Sequence, residues 1–169
     1  MTSADADPPL VVKGWSIFAH PQFLDTIESL VAQVEHLRAK YPKGYTGKNA
    51  TKRLAAIVKL AFEAIPQDPT RPEYRQGVAL GDEYKYWFRA KFFQQYRLFF
   101  RYQRESRIII YAWVNDEASK RAYESASDAY RTFRRMLKNG NPPDDWSQLL
   151  TQAKAHNKRT RAANSAGSR

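Results

Sequence analysis

The chain has 169 residues, 43% of them hydrophobic, and a net charge of +11. That length and apolar content fit one domain with a real core and short appendages, and the charge implies an acidic partner: nucleic acid, an anionic membrane or an acidic protein. With no cysteine in the chain, disulfides, thiolate metal sites and thiol catalysis are excluded.

Residues 1–13 read as a flexible leader. The start, MTSADADPPLVVKG, is acidic and lacks the features of a signal peptide. No run approaches the roughly 18 apolar residues of a membrane span. The expectation is a soluble cytoplasmic protein with no membrane partner. Trp15, Ile17 and Phe18 form a short apolar patch, either a first edge strand or an anchoring loop. Pro21 suits the first turn of a helix. Phe23, Ile27, Leu30, Val34 and Leu37 follow at helical spacing, and Tyr41-Pro42 ends the helix. A second helix is predicted from about Asn49 to Ile65, stopped by Pro66.

Strands are predicted next: Tyr74 to Leu80, Trp87 to Phe93, Tyr96 to Gln103 and Arg107 to Val114, joined by short turns. A third helix starts near Ser119, with Tyr123, Ala126, Tyr130, Phe133 and Leu137 along one side. Asn139-Gly140 caps it. Trp146, Leu149 and Leu150 suggest one more short helix, and residues 151–169 read as a disordered basic tail. The expected class is α+β: two N-terminal helices on an antiparallel sheet of about four strands, then a C-terminal helix, with residues 14–150 as the domain.

Side chains of a strand alternate between faces. In the second predicted strand Trp87, Arg89, Lys91 and Phe93 share a side; in the third, Arg97, Phe99 and Arg101 do. In the fourth, Ile108, Ile110, Ala112 and Val114 make the core set, leaving Tyr111 and Trp113 to look out. Arg89, Lys91, Arg97 and Arg101 are the only charged residues between Trp87 and Tyr102. A merely solvated sheet face mixes both signs. The single sign points to a phosphate-bearing polymer gripped by guanidinium forks, its bases stacked on Tyr111 or Trp113. An ammonium crowded by guanidiniums gives up its proton more readily, so Lys91 fits a base. Arg97 and Arg101 fit stabilisers of a pentavalent phosphate.

His20, His36 and His156 show no metal-ligand spacing, and His20, just before Pro21, fits the closure of a helix start. Asn115-Asp116-Glu117 reads either as a metal site or as a strand end leading into a helix start. No Gly-rich phosphate loop, GxSxG or HExxH motif is present. Tyr123 reads either as helix core or as a hydroxyl at the mouth of the sheet, with Arg121 beside it.

The segments AHPQF (19–23), YRLFFRY (96–102), AWVNDE (112–117) and LKNGNPPDDW (137–146), with the order of elements, resemble the YhaV toxins of the RelE-like superfamily. The resemblance runs from about Gly14 to Trp146. It implies the toxin of a type II toxin–antitoxin system: an endoribonuclease that cuts mRNA, with or without the ribosome's help, and arrests translation. It also implies neutralisation by an AbrB-like PrlF antitoxin, operator DNA bound only through the toxin–antitoxin complex, and cleavage by the ribose 2′-OH with no cofactor or metal. Carried over by position, Arg89 and Lys91 match the basic residues of the middle strand, Tyr96-Arg97 matches the Tyr-Arg pair that opens the next, and Tyr123 with Arg121 matches the tyrosine after the last strand. Asn115 would orient substrate. The acidic step Asn115-Asp116-Glu117 departs from the basic residue that RelE-like toxins often place there. Two other readings stand beside this one: a non-catalytic RNA- or ribosome-binding inhibitor of translation, and a DNA-binding regulator.

Overall fold

The computed structural model describes residues 7–116 and 127–166. Five strands form one mixed sheet: β1 (Leu10–Val12), β2 (Trp15–Ala19), β3 (Phe88–Phe92), β4 (Tyr96–Gln103) and β5 (Ile108–Val114), in the spatial order β1-β2-β5-β4-β3. Five helices are described: α1 (Pro21–Lys40), α2 (Asn49–Lys59), α3 (Ser127–Lys138), α4 (Trp146–Lys154) and α5 (Asn157–Ala166). None of them is long and apolar enough to cross a membrane.

The predicted antiparallel meander is present as β3-β4-β5, but the sheet does not end there. β2 pairs in parallel with β5, from Ser16 opposite Ile108 to Ala19 opposite Tyr111. It is interior rather than an edge. Its sequence WSIFA is apolar on both faces, which only a strand covered on both sides can bury. The leader is not wholly loose either: Leu10–Val12 forms β1, joined to β2 through Lys13 (φ 52°) and Gly14 (φ 85°). Two positive-φ residues make the tight turn that matches strand twist. A Cβ on Gly14 would also lie 3.3 Å from the Arg107 guanidinium.

The predicted strand Tyr74–Leu80 is absent. Its place is taken by a 3-10 turn at Pro72–Tyr74 and a loop held by Gln76, whose side chain donates to Tyr84 O (2.9 Å) and accepts from Leu80 N–H (3.0 Å). Gly77 and Gly81 have positive φ, which breaks an extended run.

α2 does not stop before Pro66. It continues through a π turn (Leu60–Ala64) into a last helical turn (Ile65–Gln67). In that register Ile65 N–H reaches Leu60 O, and Pro66 has no N–H to give. The Ala61 carbonyl, left without a helical donor, accepts the Tyr111 hydroxyl. This bond explains why an aromatic expected on the surface lies in the core.

Both sheet faces are covered. α1, α2 and α5 bury Leu98, Phe100, Ile109 and Tyr111 on one side. Phe133, Leu137, Leu149 and Ala153 of α3 and α4 cover Phe99, Ile110, Ala112 and Trp113 on the other, the face expected to stay partly open. Residues 157–166, expected to be disordered, are helical. Asn157, Thr160, Ala163 and Ala166 are buried at three-residue spacing, and Arg159 binds Glu28 bidentately (2.8 and 2.8 Å) and Asp25 (2.8 Å) on α1.

Candidate active site

Arg89 and Arg97 stand on neighbouring strands, two residues out of register and so diagonal on the face covered by α3. Both are nearly buried, at 9% and 7% exposure. Their Nε groups donate to a single acceptor, the phenol oxygen of Tyr130 on α3, at 2.7 and 3.2 Å. Arg89 Nη1 donates to Glu73 O (2.7 Å), and Arg97 Nη1 to Gln94 O (2.7 Å) and Tyr96 O (2.9 Å). Among the described residues neither guanidinium meets a carboxylate, and neither Nη2 group has a protein acceptor. Two cations are thus held side by side by neutral oxygens, with donors left over. That is the arrangement an oxyanion completes. The phenol has its own consequence. Its oxygen receives two N–H bonds, so its O–H hydrogen is directed away from both and is available to a third group.

Lys91 lies directly across from Arg97 in the β3–β4 register and is exposed. Opposite residues of an antiparallel pair share a face, so it forms the rim of the cluster. Asn115 does not point outward. It is buried, accepts from Arg97 N–H (2.7 Å) and donates to Gln95 O (3.0 Å). Both ends of its amide fix the β3–β4 turn, where Phe93 and Gln94 have φ of 47° and 65°. It positions Arg97 and takes no part in an outward surface.

Arg101 is not part of the cluster. It sits four residues along β4, about 13 Å at ~3.3 Å per residue. Its Nη1 donates to Asp144 O. Its guanidinium lies 5.3, 5.6 and 5.9 Å from the ring centroids of Trp146, Trp87 and Tyr86. Burial pulls it below the ordinary arginine range.

Neither aromatic expected to stack on bases presents a free ring. Tyr111 is fully buried against Phe23 and Phe62. Trp113 is 8% exposed and stacks with Phe99 and Phe133. A bulge sets the two on opposite faces (Phe99 pairs with Trp113 but Phe100 pairs with Tyr111, so Ala112 is an extra residue on β5), and helices cover both faces. Tyr123 and Arg121 lie outside the described residues. His20 closes α1, as its place before Pro21 suggests: Nδ1 accepts from Gln22 N–H (3.2 Å) and Nε2 pairs with Gln152 Oε1 (2.7 Å). Burial first, then the nearby His156, holds it below the usual histidine value. Among the described residues no group of three acidic or imidazole side chains could hold a metal ion.

Tyr130 is the residue that sequence reasoning passed over as a functional group. Its spacing with Phe133 and Leu137 marks it as part of a helix's apolar face. Only the sheet beneath reveals that its ring meets Phe99 edge-on (5.6 Å) while its oxygen reaches two arginines.

The domain pairs two arginines around a phenol with no carboxylate in contact among the described residues, donors of the kind a phosphate group takes. The match to known proteins says what sort of protein holds them. Residues 17–154 match the family model described as "Toxin with endonuclease activity, of toxin-antitoxin system". The chain belongs to that family, the YhaV toxins. It is 45% identical over 148 residues to "Ribonuclease toxin YhaV" of Escherichia coli K12, covering 86% of this chain and 96% of the relative. It has the same identity and coverage with "Toxin YhaV" of Escherichia coli O157:H7 and of Escherichia coli O6:H1. No solved structure matches.

Proposed function

We propose that this chain is an endoribonuclease toxin of a type II system, of the RelE-like kind, which cuts mRNA and so arrests translation. The observation that carries the chemistry is the convergence of Arg89 and Arg97 on Tyr130 beside Lys91. The Escherichia coli relative's name, a ribonuclease toxin, supports RNA as the substrate.

The reaction we read into this site starts with the ribose 2′-OH, whose oxygen attacks the adjacent phosphorus. Its proton passes to a base, Lys91 or Tyr123. The free Nη2 donors of Arg97 and Arg89 hold the non-bridging oxygens as negative charge grows on them. The P–O5′ bond breaks, and the Tyr130 O–H protonates the departing 5′ oxygen. The products are a 2′,3′-cyclic phosphate and a 5′-OH end. The phenolate left on Tyr130 is held by the same two guanidiniums until it is reprotonated. No metal is required by these steps. Arg121 and Tyr123 stay in the proposal on the resemblance alone, as groups near the same phosphate.

Incubating the purified chain with RNA in EDTA, with and without ribosomes, tests the reading. Fragments with cyclic phosphate and 5′-OH ends are expected. RNA left intact under both conditions would replace the enzyme with a binding inhibitor. We further propose a PrlF-like, AbrB-type antitoxin as the partner, with operator repression by the complex. At +11 the toxin attracts an acidic antitoxin segment through long-range steering, so association should slow as salt rises. A salt-insensitive on-rate would argue for apolar capture.

A further inference from the structure

A cleft of about 440 Å³ opens between α1 and the end of β5. That volume lies in the ~300–1,000 Å³ range of small-molecule sites. One wall is a single face of α1, where Gln22, Thr26, Ser29 and Gln33 recur at helical spacing and supply amides and hydroxyls to the lining. Leu30 and an edge of Trp113 add a little apolar surface, and Arg53 and Asp116 add opposite charges. The lining therefore offers mainly hydrogen-bond donors and acceptors. Its internal bonds are weak: Thr26 Oγ1 to Gln22 O is 3.5 Å and Gln33 Nε2 to Ser29 Oγ is 3.4 Å, both at the long limit. A ligand can take them over at little cost. Asp25, the other acid on this wall, is already held by Arg159 (2.8 Å).

We propose that this cleft receives an unstacked base of the RNA next to the scissile phosphate, and that Gln22, Thr26, Ser29 and Gln33 read its edge. The inference rests on the ribonuclease reading above. Two observations carry it. Asp116 of the cleft directly follows Asn115, which holds Arg97 N–H at 2.7 Å. The cleft and the arginine pair thus meet at the same end of β5, the cleft from the α1 side of the sheet and the arginines from the α3 side. A bent single strand that rounds this strand end reaches both. Sequence-specific recognition of single-stranded RNA works through splayed bases whose edges meet side-chain amides and hydroxyls. With Tyr111 and both faces of the sheet buried, the cleft supplies the polar recognition surface that the sheet itself does not.

The test is the cut-site profile of the full-length chain on an RNA pool randomised in sequence, read by sequencing the new 5′ ends. The wild type should prefer certain bases at one position beside the cut. Gln33→Ala should weaken that preference roughly tenfold, the worth of about one net hydrogen bond. Ser29→Trp, which fills the cleft from an exposed helix position, should abolish it, with thermal unfolding confirming that the variant is folded. Arg97→Ala should instead slow all cuts alike. An unchanged preference in both folded cleft variants overturns the inference and leaves the nuclease standing, as does a wild type with no preference at all. A cleft variant that alters only neutralisation by an antitoxin gives the cleft to a protein partner and overturns it too. A wild type that cuts no RNA sinks the ribonuclease reading itself and the cleft proposal with it.

Discussion

Arg97 and Arg101 are four residues apart on the same face of β4, yet the two ends of that strand treat a guanidinium in opposite ways. At the Arg101 end three aromatic rings and a backbone carbonyl enclose the cation, and Asp144 also takes the Trp87 indole N–H at 2.8 Å. The charge there clamps α4 and the preceding loop to the sheet. At the Arg97 end the neighbours are a second arginine, a phenol and backbone carbonyls, and among the described residues the Nη2 groups of Arg89 and Arg97 meet no protein acceptor. Sign and strand face are the same at both ends. What differs is the company: aromatic rings with Asp144 and Asp145 nearby at one end, and at the other a second cation sharing one phenol with no carboxylate in contact among the described residues. Only the paired cations stand ready for charge that develops in a substrate.

The sharpest way to break this contrast is at Tyr130. Tyr130→Phe keeps the ring against Phe99 and removes only the hydroxyl. Loss of a positioned proton donor should lower kcat by about 10²–10⁴-fold, with KM little changed. Single-turnover cleavage of a short RNA, with unfolding midpoints in parallel, measures this. A variant that cuts at the wild-type rate would reduce the phenol to a spacer between two arginines. Arg97→Ala comes next. Removing one preorganised donor to an oxyanion typically costs about 10²–10³-fold in kcat. Arg97→Lys should rescue little, because an ammonium cannot hold Tyr130 and phosphate at once with a planar fork.

The reverse pattern is expected at the other end. Arg101→Ala should cost stability, about 1–3 kcal/mol, through lost cation–π contact and packing. The fraction that remains folded should cut RNA at nearly the wild-type rate. Denaturant titration together with cleavage per folded molecule separates the two effects. A collapse of kcat in a fully folded Arg101→Ala protein would merge the two ends into one site and end the distinction drawn here.

The residues show why part of this was legible in advance. β4 and α1 are long, strongly patterned segments, and both form as their spacing predicts. The pairing of Arg89 with Arg97 follows from a short hairpin. Three things were not legible. The bulge at Ala112 shifts the phase of β5 by one residue, so alternation put Tyr111 and Trp113 on one open face where the fold puts them on two covered ones. Tyr111 is held inside by a carbonyl that a π turn and a proline 45 to 50 residues earlier leave unsatisfied, a long-range cause with no local sign. The tail's composition is that of a solvated segment, but the small residues Thr160, Ala163 and Ala166 recur every three positions and let α5 lie close against α1 and α2. That spacing was present in the sequence and outweighed by charge.

The smallest effect lies away from both ends of β4 and serves as their control. His20 is buried, and its pKa is held below 6.5, chiefly by that burial. His156, Arg159 and Asp25 are the charged or titratable groups around it. A histidine depressed in the folded state takes up its proton more readily when unfolded. Its contribution to stability is therefore complete above pH 6.5 and is lost as pH falls through the lower folded value. Protonation also removes the Nδ1 lone pair that accepts Gln22 N–H, so the start of α1 should loosen first. Unfolding free energy should drop between about pH 7 and pH 5, by up to ~1.4 kcal/mol for each unit of depression. His20→Asn, which keeps a cap acceptor, should flatten that slope, while His156→Asn removes only the weaker neighbouring titration. The cleavage rate per folded molecule should follow neither change, because His20 takes no part in the Arg89–Arg97–Tyr130 cluster. A pH profile of cleavage that moves with His20→Asn, at constant folded fraction, would tie the α1 cap to the chemistry and show that β4 does not contain the whole difference.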